Sequence, residues 1–212
     1  AVAIHDAAHG RIAEPESLRF AFVGLLGFED PVRSEVPAAL AEARAAGIDV
    51  AMITGDHPET ARAVADRVGF GASDGMLTGA EIARLEPGAL AERARDVRIF
   101  ARIAPEQKLA LVRAFRSNGE IVAMTGDGVN DAPALEAAHV GVAMGARGSD
   151  VAREAADLVL LDDSFASLIA GVRLGRRIFV NLRKALTYVI AIHVPIASVA
   201  LFPILLGMPP ML

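Results

Sequence analysis

The amino-acid sequence predicts an α/β protein: a doubly wound, mostly parallel sheet that continues into one long apolar helix. Two observations predict the sheet. Short apolar runs alternate with helix-period segments from Phe20 to Leu161, and the links between them are brief and rich in Gly, Pro and Asp. A third predicts the helix: Leu186 to Gly207 is a run of 22 residues with no Asp, Glu, Lys or Arg.

Residues 1–19 mix short apolar runs with turn formers and carry no strong period. "FAFVGLLGF" (Phe20 to Phe28) is a continuous apolar run that suits a strand buried on both faces. The alanine-rich "EDPVRSEVPAALAEARAAG" follows as a helix, with Gly47 placed to stop it. "IDVAMI" (Ile48 to Ile53) is the next buried strand. "DHPETARAVADRVG" is a helix, with Asp56 or His57 ahead of Pro58 in the first turn and Gly69 closing it. "LTGAEIARLEPGALAERARD" (Leu77 to Asp96) reads as an inserted helical segment. "VRIFA" is a strand and "APEQKLALVRAFRSNG" a helix opened by Pro105. Strand "EIVAM", helix "DAPALEAAH", strand "VGVAM", helix "SDVAREAA" and strand "DLVLL" complete the alternation.

From Ser164 the pattern becomes one long helix. Its first part carries Arg173, Arg176, Arg177, Arg183 and Lys184 without an acidic residue, and the 22-residue apolar run follows directly. About 20 apolar residues span a bilayer core. A basic block on one flank matches the positive-inside pattern, which puts the α/β part in the cytoplasm of an integral membrane protein. A core helix of a soluble protein is the alternative. "GMPPML" reads as a turn out of the membrane.

Composition narrows the class. Hydrophobic residues make up 53% of the 212 residues, and mean hydropathy is +0.42, high for a soluble globule. The net charge of -5 argues against a nucleic-acid partner. Cysteine is absent, so disulfides, thiolate metal sites and thiol nucleophiles are excluded. The chain starts at Ala1 without a cleavable signal, which suggests a fragment of a longer protein.

The chemistry concentrates in two loops. "MITGD" (Met52 to Asp56) and "MTGDGVNDAPAL" (Met124 to Leu135) both end a strand in Thr-Gly-Asp, and ligands of doubly wound sheets sit outside the carboxyl ends of the strands. Gly126 and Gly128 let backbone approach a ligand. Asp127 and Asp131 are spaced to converge on one hard cation, and two carboxylates with waters and phosphate oxygens are a usual Mg²⁺ site. Asn130 between them has an amide that can donate to a phosphoryl oxygen. Thr54 and Gly55 supply a hydroxyl and an N–H at a helix start, an anion site. Lys108, in the first turn after "ARIAPEQ", supplies a point charge for a phosphate. The plainer readings are helix caps for the Thr and Asp residues and a solvated surface for the lysine. A phosphoryl-transfer site has these parts, but a nucleophile is missing from them.

"TGDGVNDAPAL", "MITGD", "ARIAPEQK", "FVGLLGFEDPVR" and "LLDDSFASLIAGVRLGRRIFVNLRKAL" together resemble the P-type cation-transporting ATPases near the calcium- and sodium-pump branches, in order and over almost the whole chain. The resemblance implies a haloacid-dehalogenase-like phosphorylation domain over residues 20–163, lacking its nucleophile segment. Residues 1–19 would be the tail of a nucleotide-binding domain, residues 164–185 a basic stalk, and residues 186–212 a transmembrane helix with the following turn. It implies ATP and Mg²⁺ as cofactors, with ATP, a cation and the lipid bilayer as partners. Asp127 would be an Mg²⁺ ligand, with Asn130 and Asp131 supporting the metal and phosphoryl group. Thr54 and Gly55 would hold the phosphoryl group, Asp56 and Arg102 would lie near the nucleotide, and Lys108 would neutralise the phosphate. The family's phosphate-accepting Asp lies in a D-K-T-G-T motif that this sequence does not contain.

The calcium pumps carry an Asn and a Glu near "NVGE" on the fifth membrane helix. Here "HVPI" places His193 and Ile196 at those positions. His193 is a candidate ligand for the transported ion, or a histidine bonded to a neighbouring helix. A soluble phosphatase of the same superfamily, and a non-catalytic module that binds Mg²⁺ or phosphate, are the other functional readings.

Overall fold

The computed structural model describes residues 2–4, 21–27 and 31–207. It divides into two compact units, Ala1–Arg33 and Ser34–Leu212. In the first, β1 (Val2–Ile4) pairs antiparallel with β2 (Ala21–Gly24). Phe22 and Val23 are exposed, as are Leu25 and Leu26, so the apolar run expected to be buried on both faces is bare among the described residues. Its apolar character asks for a cover, and this pairing covers neither face.

The second unit alternates strand and helix as its sequence predicts. Helix α1 (Val36–Ala45) precedes β3 (Met52–Ile53), then α2 (Pro58–Val68), β4 (Met76–Thr78), α3 (Gly79–Ile82), α4 (Pro87–Ala94), β5 (Ile99–Ala101) and α5 (Pro105–Ser117). Strand β6 (Ala123–Gly126), α6 (Ala132–Ala137), β7 (Val140–Met144), α7 (Asp150–Ala155), β8 (Leu158–Leu160) and α8 (Phe165–Leu205) complete it. The strands form two parallel three-stranded sheets, in the orders β3-β5-β4 and β6-β7-β8. Among the described residues, the two strands that lead into the Thr-Gly-Asp loops, β3 and β6, are therefore each an outermost strand of a sheet.

One expectation is corrected here. The segment Leu77 to Asp96 is not a wholly helical insertion, because Met76–Thr78 pairs with β5 and belongs to the sheet. Three residues are too few to display a period of two, and Thr78 already serves the next helix as its cap. Its hydroxyl accepts from the Glu81 N–H, while its own N–H and hydroxyl donate to the Glu81 carboxylate at 2.7 Å, a reciprocal capping box.

Helix α5 lies between two cores. Leu111 packs with Leu77, Leu90 and Phe100 on the β3-β5-β4 side, and Val112 packs with Met124, Leu135 and Ala143 on the β6-β7-β8 side. Phe115 meets Phe100 edge to face at 6.0 Å between ring centres. Full burial of a side chain such as Phe100 or Leu111 contributes roughly 1.5–3 kcal/mol, so these neighbours hold α5 firmly. Its first turn, opened by Pro105, is thereby set at the carboxyl ends of strands from both sheets.

Helix α8 is continuous from Phe165 through the predicted stalk and the apolar run. Among the described residues its packing is at the root, with Ile169, Phe165 and Ala166 against Ala39 and Ala43 of α1. Arg173 pairs with Glu42, and Arg176 donates to the Ala46 carbonyl at 2.7 Å. The span Phe165–Phe202 is long and apolar enough to cross a membrane: its most apolar 18-residue stretch has a mean hydropathy of 2.0 and none of it is buried. The "MPPML" end of the predicted exit turn lies outside the described residues.

The capping box has a measurable consequence. The hydrogen bonds from Thr78, side chain first and backbone second, hold the Glu81 carboxyl below its ordinary value of 4.5. A lowered folded-state pKa means that this contribution to stability is complete above the ordinary glutamate range and is lost as pH falls through the depressed value. Thr78→Val should move the Glu81 titration, followed by its side-chain carboxyl ¹³C shift, back up toward the ordinary value. An unmoved titration would show that the box does not cause the shift.

Candidate functional site

The second Thr-Gly-Asp loop wraps around a buried carboxylate. Asp131 is 5% exposed. Its Oδ1 accepts from the Lys108 ammonium at 2.5 Å, and its Oδ2 accepts from the backbone N–H groups of Asp127 and Gly128, each at 3.3 Å. Three donors satisfy a charge that would otherwise be expensive to bury. Lys108 comes from the first turns of α5, so the ion pair joins the two halves of the unit.

Asp127 presents its carboxylate to solvent, and among the described residues that carboxylate has no hydrogen bond or ion pair. Asn130 is likewise exposed beside it. The two aspartates are thus unequal. Asp131 is saturated by protein donors, while Asp127 is open to a ligand. Mg²⁺ commonly takes only one or two carboxylates with waters and phosphate oxygens, so an open Asp127 backed by Asp131 fits such an ion. No group of three or more acidic or histidine side chains that could enclose a metal alone occurs among the described residues.

The first Thr-Gly-Asp loop closes on itself. The Thr54 hydroxyl donates to the Asp56 carboxylate at 3.0 Å and accepts from the Asp56 N–H at 3.1 Å. The cap of α2 is His57, whose Nδ1 accepts from the Glu59 N–H. Thr54 and Gly55 therefore lie just ahead of the helix cap rather than in the first turn. The loop is stitched to the approach of α5. The Ile103 N–H donates to the Thr54 carbonyl at 3.0 Å, and the Arg102 N–H donates to the Asp56 carbonyl at 3.0 Å. Arg102 has a left-handed backbone (φ +55), rare for a residue with a side chain and worth noting at a ligand site.

The N-terminal turn of α5 is thus the meeting point. One loop reaches it through Arg102 and Ile103, the other through Lys108. Gln107, which sequence reasoning passed over, buttresses the turn: its amide donates to the Gly79 carbonyl and its oxygen accepts from the Ala104 N–H. A Gln at the third position of a helix opened by Pro105, where it can bond back to the N-cap N–H, was the available signal. His193 stands apart on α8, its Nδ1 bonded to the Val189 carbonyl of the same helix at 2.8 Å.

The glycines of the loop are unequal too. A Cβ on Gly126 would lie 2.6 Å from the Asp131 Cβ, whereas one on Gly128 would meet Asp131 Oδ2 at 3.6 Å, an ordinary contact. Gly126→Ala should cost about 1–3 kcal/mol by overpacking and Gly128→Ala distinctly less, measured by denaturant unfolding. Equal losses would mean that Asp131 is not the reason for Gly126.

A model of haloacid dehalogenase-like hydrolases matches residues 4–139. A cation-transporting ATPase (pma1) of Synechocystis sp. is 49% identical over 189 residues, covering 88% of this chain and 21% of the relative. A calcium-transporting ATPase of Bacillus subtilis is 47% identical over 188 residues, with the same coverage of 88% and 21%. Among solved structures, a zinc-transporting PIB-type ATPase in its E2.Pi state superposes with a TM-score of 0.62 at 30% identity, covering 86% of this chain and 25% of that one. The chain spans about a fifth of the length of the curated relatives it matches. It belongs to the haloacid dehalogenase-like hydrolase family, and the relatives it matches along most of its length are P-type cation-transporting ATPases.

Proposed function

We propose that this chain is the phosphoryl-handling and stalk portion of an ATP-driven cation pump. The observation that carries the reading is the Lys108–Asp131–Asp127 assembly, a positive charge and an open carboxylate at a strand end. Asp127, backed by Asp131, would hold Mg²⁺, which supplies positive charge against the charge developing on the transferred phosphoryl oxygens. The Lys108 ammonium lies in the same cluster and offers a second cation to the phosphate. The Asn130 amide and the Gly55 N–H would be donors for the phosphoryl oxygens, joined by the Thr54 hydroxyl once it turns from the Asp56 carboxylate that it meets in this structure. Asp56, bonded to Thr54, and Arg102, whose N–H donates to the Asp56 carbonyl, would be the residues near the nucleotide.

The phosphate-accepting aspartate comes from another segment, since D-K-T-G-T is not in this sequence. Both β3 and β6 are outermost strands, so a further parallel strand carrying that aspartate could pair with each of them. Residues 1–19 would end a nucleotide-binding domain and residues 20–163 would form the phosphorylation domain. Residues 164–185 would be the stalk, and residues 186–212 the span with its exit turn. The α/β part faces the cytoplasm, supported by the basic stretch ahead of the apolar run.

On α8, His193 is a candidate ligand of the transported cation. Its Nδ1 proton is committed to the Val189 carbonyl, which leaves Nε2 as an acceptor. Pro195 lacks the N–H that would bond the Ala191 carbonyl, so that oxygen is a second candidate donor.

Acid-stable labelling from γ-phosphate-labelled ATP with Mg²⁺ tests the phosphoryl reading. This chain alone should take up no label. A longer protein joining it to a D-K-T-G-T segment should label, and Asp127→Asn or Lys108→Ala in that protein should lower labelling by about 100-fold. Labelling of the isolated chain, or indifference to both substitutions, would overturn the assignment. In the same protein, His193→Ala should shift the ion concentration that half-stimulates ATP hydrolysis; an unchanged dependence would remove the ligand role.

A further inference from the structure

Two charged side chains are buried among the described residues, Asp131 and Asp163. The site uses the first. The second lies two residues before α8 begins, in left-handed backbone (φ +52). Its carboxylate spans two successive peptide groups: Oδ1 accepts from the Ala146 N–H and Oδ2 from the Arg147 N–H, both at 3.0 Å. From the α7 side, the Arg153 guanidinium donates to the carbonyls of Gly145 and Gly148, which flank those residues. The loop passes close to the end of β7, where a Cβ on Gly148 would fall 1.9 Å from the Met144 carbonyl oxygen.

The next residue reaches the site. The Ser149 N–H donates to the Asp127 carbonyl at 2.8 Å, and the Asp127 N–H donates to Asp131. Bonded contacts therefore run from Lys108 through Asp131, Asp127, Ser149 and the 146–147 loop to Asp163 and the root of α8. Charge-assisted hydrogen bonds, the stronger kind, stand at both ends.

We infer that Asp163 is a positioning residue that ties the orientation of Asp127 to the root of α8. It acts through the Ala146–Ser149 segment and touches no reacting group. The inference rests on the proposal that Asp127 helps to hold Mg²⁺. Groups behind a metal ligand set its direction, and their loss typically costs 10-fold or more in metal affinity. Contiguity alone does not establish coupling, so the test must measure it.

The ¹⁵N-labelled chain, held in lipid nanodiscs, is titrated with MgCl₂ and followed by amide shifts. Gly128 should respond, and Ala146, Arg147, Ser149 and Phe165 should respond with the same midpoint. Asp163→Asn keeps the side-chain size and the tolerance for left-handed backbone but places an NH₂ where one N–H needs an acceptor. Ser149→Pro deletes the other link at a φ of -66, which proline adopts. Each variant should raise the Mg²⁺ midpoint by about 10-fold and confine the response to the Gly128 loop. The double variant should be no worse than either single one, because both cut the same chain. A merely structural role would lower the melting temperature and leave the midpoint of the folded protein alone. Wild-type shifts that stop at Gly128, unchanged midpoints, or additive losses would overturn the inference. If Gly128 itself does not respond, the metal reading falls first and takes this one with it.

Discussion

The Lys108–Asp131 ion pair is the interaction on which the rest depends. A carboxylate at 5% exposure is tolerated only where its charge is met, and here a lysine from α5 and two N–H groups of its own loop meet it. Each donor makes a demand on the fold. The N–H donors require the loop to curl back on Asp131, which in turn requires a glycine at position 126. The lysine requires α5 to start beside that loop. Helix α5 starts there because Leu111 and Val112, adjacent in sequence, are buried in different cores. Packing on both flanks therefore decides where one ammonium sits.

The ion pair also explains why the two aspartates of the loop differ. Burial and three donors leave Asp131 with little capacity for a further ligand, whereas Asp127 is exposed and open. Spacing alone lets both carboxylates converge on one cation; in the folded chain one is open and the other is held by protein donors. A similar division holds in the first loop, where Asp56 occupies the Thr54 hydroxyl and His57 takes over the helix cap. Proline at position 58 made a helix start there certain, but the choice among Asp56, His57 and Thr54 as cap depends on backbone direction.

The outermost position of β3 and β6 belongs with this geometry. The open edge of a parallel strand is a liability unless something covers it, and these two strands, each paired on one side among the described residues, carry the loops that the proposed chemistry needs. Likewise the exposed apolar residues of β2 and α8 mark surfaces that a water-soluble protein would not leave open. Coverage of about a fifth of the matched relatives is consistent with both.

Much of this molecule was legible in its residues. Alternating apolar runs and helix periods, Pro58 and Pro105 at helix starts, and a 22-residue uncharged stretch specify local structure through short-range sterics and solvation, which need no knowledge of distant partners. Thr54, Asp127, Asn130, Asp131 and Lys108 could be singled out for the same reason: their chemistry and their places at strand ends and helix starts are local properties. What depended on the folded chain was long-range. Strand β4 is too short to show a period and exists because β5 lies alongside it. The exposure of Asp127, the burial of Asp131 and the carboxylate of Asp163 beneath the 146–147 loop come from segments 17 to 23 residues apart brought into contact. No residue's identity announces such a contact, because burial and hydrogen-bond partners are properties of the packed whole.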